Sequence, residues 1–139
     1  MKTAFLAAAL ALTAAPAFAQ DASDITFTFQ VGQPTGAVMV ALFDSEAAYD
    51  GEGGPVRVAR LEVSGGTVEA VFEGLPAGDY AMKAFHDVDG DGEMDANPFG
   101  MPTEPYGFSN NAVGNMGPAS WERARFTVSG ATAQTISLR

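Results

Sequence analysis

A period-two alternation of apolar and polar side chains, repeated over several short segments, is the feature that most constrains the fold. From residue 25 to residue 31 every second side chain is apolar, and the side chains between them are threonine or glutamine. This is the pattern of a half-buried β-strand. Residues 37–43 are apolar at every position, which is typical of a strand in the middle of a sheet. No part of the chain after residue 20 has the apolar spacing of a long helix.

Five further short segments have strand character, bounded by glycine, proline, serine or aspartate. These predicted strands are residues 56–63, 67–73, 80–86, 122–128 and 132–138. Seven short strands and little helix predict an all-β fold. We expect an antiparallel, immunoglobulin-like or transthyretin-like β-sandwich of about seven strands with one long loop.

Turn residues give finer predictions for the middle of the chain. Ser64-Gly65-Gly66 predicts a hairpin that joins strands 56–63 and 67–73. The apolar positions change parity within residues 56–63, which predicts a β-bulge near Arg60. The corner before Tyr80 is Leu-Pro-Ala-Gly-Asp, and we expect the tyrosine hydroxyl to bond to its backbone.

The N-terminal segment predicts export. Lys2 precedes an apolar run of about a dozen residues, and Ala17-Phe18-Ala19 follows, the pattern of a secretory signal peptide cleaved after Ala19. The run is shorter than the roughly 20 residues that span a bilayer. We therefore expect residues 1–19 to be a signal peptide, residues 20–139 to form a single domain without a membrane span, and the mature protein to be periplasmic or secreted.

The charge of the chain excludes several classes of partner. Without Lys2, six basic residues face 17 acidic ones, and the formal net charge moves from −10 to −11. Nucleic acid and anionic lipid are not expected, because both are bound mainly through Lys and Arg. The chain has no cysteine, so its stability depends on a packed core and not on disulfides. What remains is an envelope or extracellular partner of unspecified chemistry.

An acidic stretch follows the predicted strand 80–86. Carboxylates stand at relative positions 1, 3, 5 and 9, with Gly92 at position 6, as in calcium-binding loops. No basic residue lies between Lys83 and Arg123, so a bound cation would relieve the repulsion among the acids. The predicted ligands are four side chains and one backbone carbonyl, that of Glu93; the side chains are those of Asp87, Asp89, Asp91 and Asp95.

The acidic stretch departs from an EF-hand at position 12. Pro98 stands where an EF-hand supplies a bidentate glutamate, and flanking helices are missing. Asn97 and Glu104 are candidates to complete the shell. We expect weak Ca²⁺ binding, with a Kd of about 10⁻⁴ to 10⁻³ M, the range of extracellular modules. The alternative is a solvated acidic turn without an ion, because Asp and Gly are common turn residues.

Residues 87–120 are too long for an ordinary hairpin loop. Together with Trp121 they offer aromatic rings beside amides, a set that is able to stack on a sugar or to receive a peptide. The alternative is a loop that buries its own aromatic rings, as an Ω-loop does. The residues of this possible ligand or partner surface are Tyr106, Phe108, Asn110, Asn111 and Trp121.

His86 is the one histidine of the chain and stands next to Asp87. The pair suggests a metal-dependent enzyme. The alternative is a histidine at the end of a strand whose ring bonds to a neighbouring carboxylate or carbonyl. We expect no catalysis, because the chain has no nucleophile elbow, catalytic cysteine or phosphate-binding glycine loop.

The pattern Asp-x-Asp-Gly-Asp-Gly-x-x-Asp and the residues after it resemble a bacterial family known as domain of unknown function 2141. The resemblance rests on residues 87–95 and 97–111, on Gly117-Pro118, Trp121 and Phe126, and on residues 78–81. It implies an exported or envelope-associated, compact β-rich domain without an established activity. Many members have an asparagine-rich version of the loop, whereas this chain has more aspartates.

These observations predict an exported β-sandwich that acts as a binding or structural module, with a long loop stabilised by Ca²⁺. The first alternative is a module that binds carbohydrate or peptide through its aromatic and amide side chains. The second is a metal-dependent enzyme that uses His86 and Asp87.

Overall fold

The structure is a computed structural model that describes residues 22–139. The predicted signal peptide, residues 1–19, lies outside the described residues. Residues 22–139 form eight strands, two short α-helices and one 3₁₀ turn, which are β1 Ser23–Gln30, β2 Ala37–Phe43, α1 Glu46–Tyr49, β3 Arg57–Glu62, β4 Thr67–Leu75, β5 Gly78–Asp87, β6 Tyr106–Phe108, the 3₁₀ turn Ser109–Asn111, α2 Trp121–Ala124, β7 Phe126–Val128 and β8 Thr132–Ser137. Within residues 22–139, neither helix is long and apolar enough to cross a membrane.

The strands form two sheets. The three-stranded sheet has the order β4-β1-β8, and the five-stranded sheet has the order β3-β2-β5-β6 with β7 paired to the start of β5. The predicted β-sandwich is confirmed. All strand pairs are antiparallel except one, because β1 and β8 run parallel. Strands at the two ends of a chain are free to pair in this way, since the residues between them supply the long crossover that a parallel pair needs.

The core lies between the two sheets and follows from the alternation in the sequence. Ile25, Phe27 and Phe29 of β1 are fully buried, and the Phe27 ring packs edge-on against Phe72 and Phe126. A fully buried side chain of this size stabilises the fold by about 1.5–3 kcal/mol relative to an exposed one. A second buried cluster, which includes Phe43, Tyr49, Ala81 and Phe108, covers part of the outer face of the five-stranded sheet.

Strands β3 and β4 do not form the predicted hairpin. β3 pairs with β2, and β4 pairs with β1 in the other sheet, so Ser64-Gly65-Gly66 carries the chain from one sheet to the other. The predicted bulge near Arg60 is also wrong, because the register between β2 and β3 is unbroken. The change of parity has a simpler origin. Val56 precedes the strand, and Val58 points outward with 70% of its surface exposed.

The last third of the chain differs from the prediction in two elements. The predicted strand 122–128 begins with a helical turn, since the N–H groups of Arg123 and Ala124 donate to Ser120 O. This turn buries Ala124 and packs the Trp121 ring against Tyr49. The predicted loop 87–120 contains β6, which pairs with the middle of β5. The predicted tyrosine corner is confirmed, because the Tyr80 hydroxyl donates to Pro76 O at 2.6 Å.

Strand β6 also connects the two sheets. The N–H of Tyr106 donates to Arg139 O at 3.0 Å, and the N–H of Arg139 donates back to Tyr106 O at 3.1 Å. Just before this pair, the N–H of Leu138 donates to Gln30 O in the three-stranded sheet at 3.1 Å. Leu138 therefore hydrogen-bonds to the three-stranded sheet, and Arg139 hydrogen-bonds to the five-stranded sheet.

Candidate metal site

The acidic stretch begins where β5 ends. Asp87 is the last residue of the strand and is fully buried, while Asp89 and Asp91 are exposed on the turn that follows. Gly90 and Gly92 have φ values of 73° and 82°, a region that side chains with a Cβ disfavour. These two glycines let the chain wind tightly around the Asp87 carboxylate.

Backbone N–H groups hold the Asp87 carboxylate. Gly90 N–H donates to its Oδ1 at 3.0 Å, and Gly92 N–H donates to its Oδ2 at 2.7 Å. The next two acids repeat the arrangement on a smaller scale, since Asp91 N–H donates to Asp89 Oδ1 and Glu93 N–H donates to Asp91 Oδ1. The carboxylates at positions 1, 3 and 5 are thus fixed by the turn itself, as carboxylates of Asx turns are.

Glu104 closes the far end of the loop. It is buried, its Oε1 accepts the N–H of Val88, and its Oε2 accepts the N–H of Asp95, both at 3.2 Å. One carboxylate therefore ties the start and the end of the acidic stretch together. Of the two residues considered for completing the shell, Glu104 lies at the cluster. Asn97 instead uses its Oδ1 to accept the N–H groups of Phe99 and Met101.

Two groups of three carboxylates are close enough to hold a metal ion. They share Asp89, and within each group the ligand oxygens lie within 4.8 Å of one another. Oxygens around one Ca²⁺ ion at 2.3–2.6 Å lie at most about 5 Å apart, so either group fits that ion. The groups are Asp87, Asp89 and Asp91, and Asp89, Asp95 and Glu104. The Glu93 side chain belongs to neither group and is exposed; the ligand predicted at this residue is its backbone carbonyl, and that stays a prediction.

The crowding changes the acidity of two carboxyls in opposite directions. The pKa of Asp89 rises to about 6, first because its carboxyl hydrogen-bonds to Asp87, with smaller contributions from Asp95 and Asp91. Burial acts to raise the pKa of Asp87, but hydrogen bonds from Gly92, Asp89 and neighbouring N–H groups outweigh it and lower that pKa. Binding of a proton at Asp89, or of a cation in its place, therefore reduces the repulsion among the carboxylates more than binding at the other acids does.

One cation reaches the cluster from a distant part of the sequence. Arg60 on β3 places Nη1 3.8 Å from Asp87 Oδ2, and its Nε lies 3.1 Å from Glu62 Oε1. The sequence indicated no basic residue inside the acidic stretch, and spacing along the chain gives no sign of this approach. Arg60 offsets part of the negative charge at Asp87, while the other acids of the cluster have no partner of this kind within the described residues.

The side chains of His86 and Asp87 lie on opposite faces of β5. Adjacent residues of a strand point to opposite faces, and the His86 ring is buried with Nε2 2.6 Å from Thr35 O. This carbonyl is one of the partners predicted for a histidine at a strand end. Nδ1 has no hydrogen-bond partner among the described residues. The loop that supplies Thr35 packs tightly, since a Cβ on Gly36 would lie 2.1 Å from Asp87 O.

The side-chain amides of the predicted aromatic and amide surface form hydrogen bonds within the chain. The Asn110 amide donates to the carbonyls of Arg123 and Arg125, and the Asn111 amide donates to Thr135 O. Both asparagines have positive φ, 62° and 50°, which Asn tolerates better than most residues. These side chains fix the 3₁₀ turn against α2 and β8.

The aromatic members of that surface are divided between two places. Phe108 is buried, and Trp121 packs against Tyr49 with ring centroids 5.8 Å apart. Tyr106 is 39% exposed and packs edge-on against Phe108. The five residues therefore do not present one continuous face of rings and free amides.

Comparison with known proteins gives one match. Neither the curated proteins nor the solved structures contain a match to this chain. Residues 29–137 match the family described as "Uncharacterized protein conserved in bacteria (DUF2141)". The matched range runs from β1 to the last residue of β8 and includes the whole acidic stretch, which confirms the resemblance drawn from the sequence. The chain therefore belongs to the DUF2141 family of bacterial proteins.

Proposed function

We propose that this protein is an exported β-sandwich module whose acidic stretch binds Ca²⁺, and that the ion holds the long loop against the sandwich. The observation that carries the proposal is the sharing of Asp89 between two carboxylate groups with ligand oxygens within 4.8 Å. One group lies at the start of the segment between β5 and β6, residues 88–105, and the other includes Glu104 near the end of that segment. A cation at Asp89 would therefore connect both ends.

The chemistry of the ligands favours Ca²⁺ over other metals. Every candidate ligand is a carboxylate, and hard oxygen ligands suit Ca²⁺ and Mg²⁺, whereas Zn²⁺ and copper favour histidine and sulfur. The chain has no cysteine, and its one histidine is turned away from the cluster. Five carboxylates in an irregular loop suit the flexible coordination of Ca²⁺ better than the strict octahedron of Mg²⁺.

Export supports the same proposal. The N-terminal sequence has the form of a signal peptide, and extracellular calcium modules bind with Kd values of about 10⁻⁴ to 10⁻³ M. Four of the candidate carboxylates already accept hydrogen bonds from backbone N–H groups; they are those of Asp87, Asp89, Asp91 and Glu104. The loop is thus arranged before the ion binds, and the ion adds charge neutralisation.

The test is a calcium titration of the melting temperature. At a concentration of ten times Kd, a ligand bound by the folded state alone raises the unfolding free energy by about 1.4 kcal/mol, which raises the Tm by roughly 3–8 °C. Asp89→Asn should abolish most of this rise, because Asp89 belongs to both groups. Mg²⁺ at the same concentration should give a smaller rise.

The matched control is Glu69→Gln, which removes one carboxylate from the exposed face of β4. This variant should keep the full rise in Tm with calcium, because it lowers the net negative charge of the protein without removing a candidate ligand. Equal responses in Asp89→Asn and Glu69→Gln would contradict the proposal and leave general charge screening as the explanation.

The two alternatives receive less support. A carbohydrate or peptide site would need free amides, and those of Asn110 and Asn111 are bonded within the chain. An enzyme that uses His86 and Asp87 would need both groups at one substrate, and they face opposite sides of β5.

A further inference from the structure

The outer face of the five-stranded sheet carries an open apolar groove of about 1060 Å³. Two rows of side chains form its floor, because pairing places Arg60, Met39, Phe85 and Tyr106 in one row across the sheet and Val58, Ala41, Lys83 and Phe108 in the next. Four strands span about 14 Å in this direction. The groove thus crosses the sheet from the edge strand β3 to β6.

The long loop supplies the walls of this groove. Met94, Met101 and Pro102 come from the segment that ends the acidic stretch, and Met116 and Pro118 come from the segment before α2. Methionine side chains are flexible and polarisable, so they adapt to ligands of irregular shape. Including Met39 on the floor, four methionines line the groove.

The groove concentrates exposed apolar surface. Four of the seven large apolar residues that are exposed within residues 22–139 line it; they are Val58, Met101, Tyr106 and Met116. Met116 is completely exposed, and Met101 is 64% exposed. Exposed apolar patches rimmed by polar residues mark binding sites on soluble proteins. The volume is also that of a small-molecule site.

The charged side chains that line the groove favour a ligand with negative charge. Its ionisable linings are the cations Arg60 and Lys83 with the Tyr106 phenol, and no Asp or Glu of the described residues lines it, although the protein as a whole has a net charge of −10. Arg60 is already paired with Glu62 and lies near Asp87. Lys83 has no carboxylate within 4.0 Å among the described residues. Its ammonium donates to Tyr49 O at 2.6 Å and lies over the Tyr49 and Phe43 rings, which do not themselves line the groove. Burial lowers the pKa of Lys83, and the charge of Asp50 acts in the opposite direction.

The scarcity of polar groups in the groove favours a ligand whose main part is apolar. The groove floor belongs to strands whose backbone groups are paired within the sheet, so a peptide cannot add a strand there. A sugar or a peptide would leave its own polar groups without partners against apolar walls, at a high cost in free energy. An unbranched hydrocarbon chain has no such groups.

We propose that this groove binds a fatty acid of medium chain length, with the carboxylate at the Lys83 ammonium on β5 and the hydrocarbon chain directed over β2 toward the edge strand β3. The floor is built by the sheet, so the proposal does not rest on cation binding by the acidic stretch. It predicts a ligand with one anionic end and a long apolar body, and it predicts that neither part alone binds as well.

The test measures displacement of a dansylated undecanoic acid from the purified protein by dodecanoate, dodecanol and dodecyltrimethylammonium. EDTA is present, because calcium precipitates fatty acids. Dodecanoate should bind with one site per chain and about tenfold more tightly than dodecanol, the factor of a charge-assisted hydrogen bond. Lys83→Met should remove this preference and leave dodecanol binding unchanged. Acetate, which lacks the apolar body, should not displace the probe.

Two substitutions by phenylalanine test the location. Ala41 is half-buried in the middle of the floor, so Ala41→Phe should fill the groove and weaken dodecanoate binding by tenfold or more. Val71 is 50% exposed on β4 of the other sheet, and Val71→Phe should leave binding unchanged. The Tm of each variant, measured by circular dichroism, identifies a variant that fails to fold, and Met116→Asp at the exposed rim then replaces Ala41→Phe.

Three results would overturn the proposal. Equal affinities for the anion, the alcohol and the cation would indicate unspecific apolar adsorption. Equal binding by the Ala41→Phe and Val71→Phe variants would place the probe elsewhere. A dimer in sedimentation that Ala41→Phe dissociates, together with no dodecanoate binding, would identify the groove as a contact between two copies of the chain.

Discussion

The acidic stretch and the apolar groove lie side by side on the same sheet, but they owe their order to different partners. In the acidic stretch the buried charge of Asp87 is met by backbone N–H groups of its own turn. In the groove the Lys83 ammonium is met by one carbonyl and two aromatic rings. The contrast teaches that a local turn is able to stabilise a buried carboxylate, whereas a cation on the face of a sheet depends on residues far away in the sequence.

The largest effect is expected from removing the buried carboxylate. Asp87→Ala leaves the N–H groups of Gly90 and Gly92 without their acceptors, and hydrogen bonds to charged groups are individually strong, so the unfolding free energy should fall by about 2–4 kcal/mol. Urea unfolding in EDTA measures this change. Asp91→Ala removes an exposed carboxylate that holds one N–H and should cost less than about 1 kcal/mol. Equal losses in the two variants would remove the distinction between them.

A smaller effect is expected on the groove side. Lys83→Met removes the hydrogen bond to Tyr49 O and the contact with the two rings, worth about 0.5–2 kcal/mol. It also ends the burial of a charge, and that burial lowers the pKa of Lys83 in the wild type. Because the two effects oppose each other, the unfolding free energy should change by less than about 1 kcal/mol. A loss as large as that of Asp87→Ala, measured in the same urea titration, would show that Lys83 holds the fold together and is not kept for a ligand.

The smallest effect is a dependence on pH that the metal-free acidic stretch should show. The pKa of Asp89 is raised from 3.8 to about 6 in the folded protein, so its protonation favours the folded state. The corresponding stability is present below the unfolded value and is lost as the pH rises to about 6. The pKa of Asp87 is lowered, so its contribution is lost only as the pH falls below the unfolded value.

Urea unfolding in EDTA between about pH 4.5 and about pH 6.5 isolates the Asp89 contribution. The unfolding free energy of the wild type should fall with rising pH more steeply than that of Asp89→Asn. Parallel curves for the two proteins would show that Asp89 does not titrate in this range. Added calcium should reduce the slope, since the cation then takes the place of the proton.

Local patterns predicted the parts of the fold that depend on near neighbours in the sequence. The alternation in residues 25–31 and the apolar run 37–43 correspond to β1 and β2, and the corner before Tyr80 forms as expected. The apolar run was expected to be a strand in the middle of a sheet, and β2 lies between β3 and β5. On its outer face Ala37 and Phe43 are buried, whereas Met39 and Ala41 between them lie on the floor of an open groove.

Contacts between distant residues were beyond the reach of such patterns. β6 has three residues with a glycine in the middle, too few to show an alternation, and its pairing with β5 depends on the whole fold. Glu104 reaches the acidic stretch from 17 residues beyond Asp87, and Arg60 reaches it from another strand. Spacing along the chain predicts only those ligands of a calcium site that lie in one continuous stretch of sequence.

The bonds of residues 138 and 139 to different sheets have a mechanical consequence. At the edge formed by β6 and β8, backbone hydrogen bonds connect the sheets, each worth about 1 kcal/mol. At the opposite edge, β3 and β4 are joined by a turn and are not paired with each other. We therefore expect the sandwich to open by a hinge motion about the β6–β8 edge, with water entering the core first between β3 and β4.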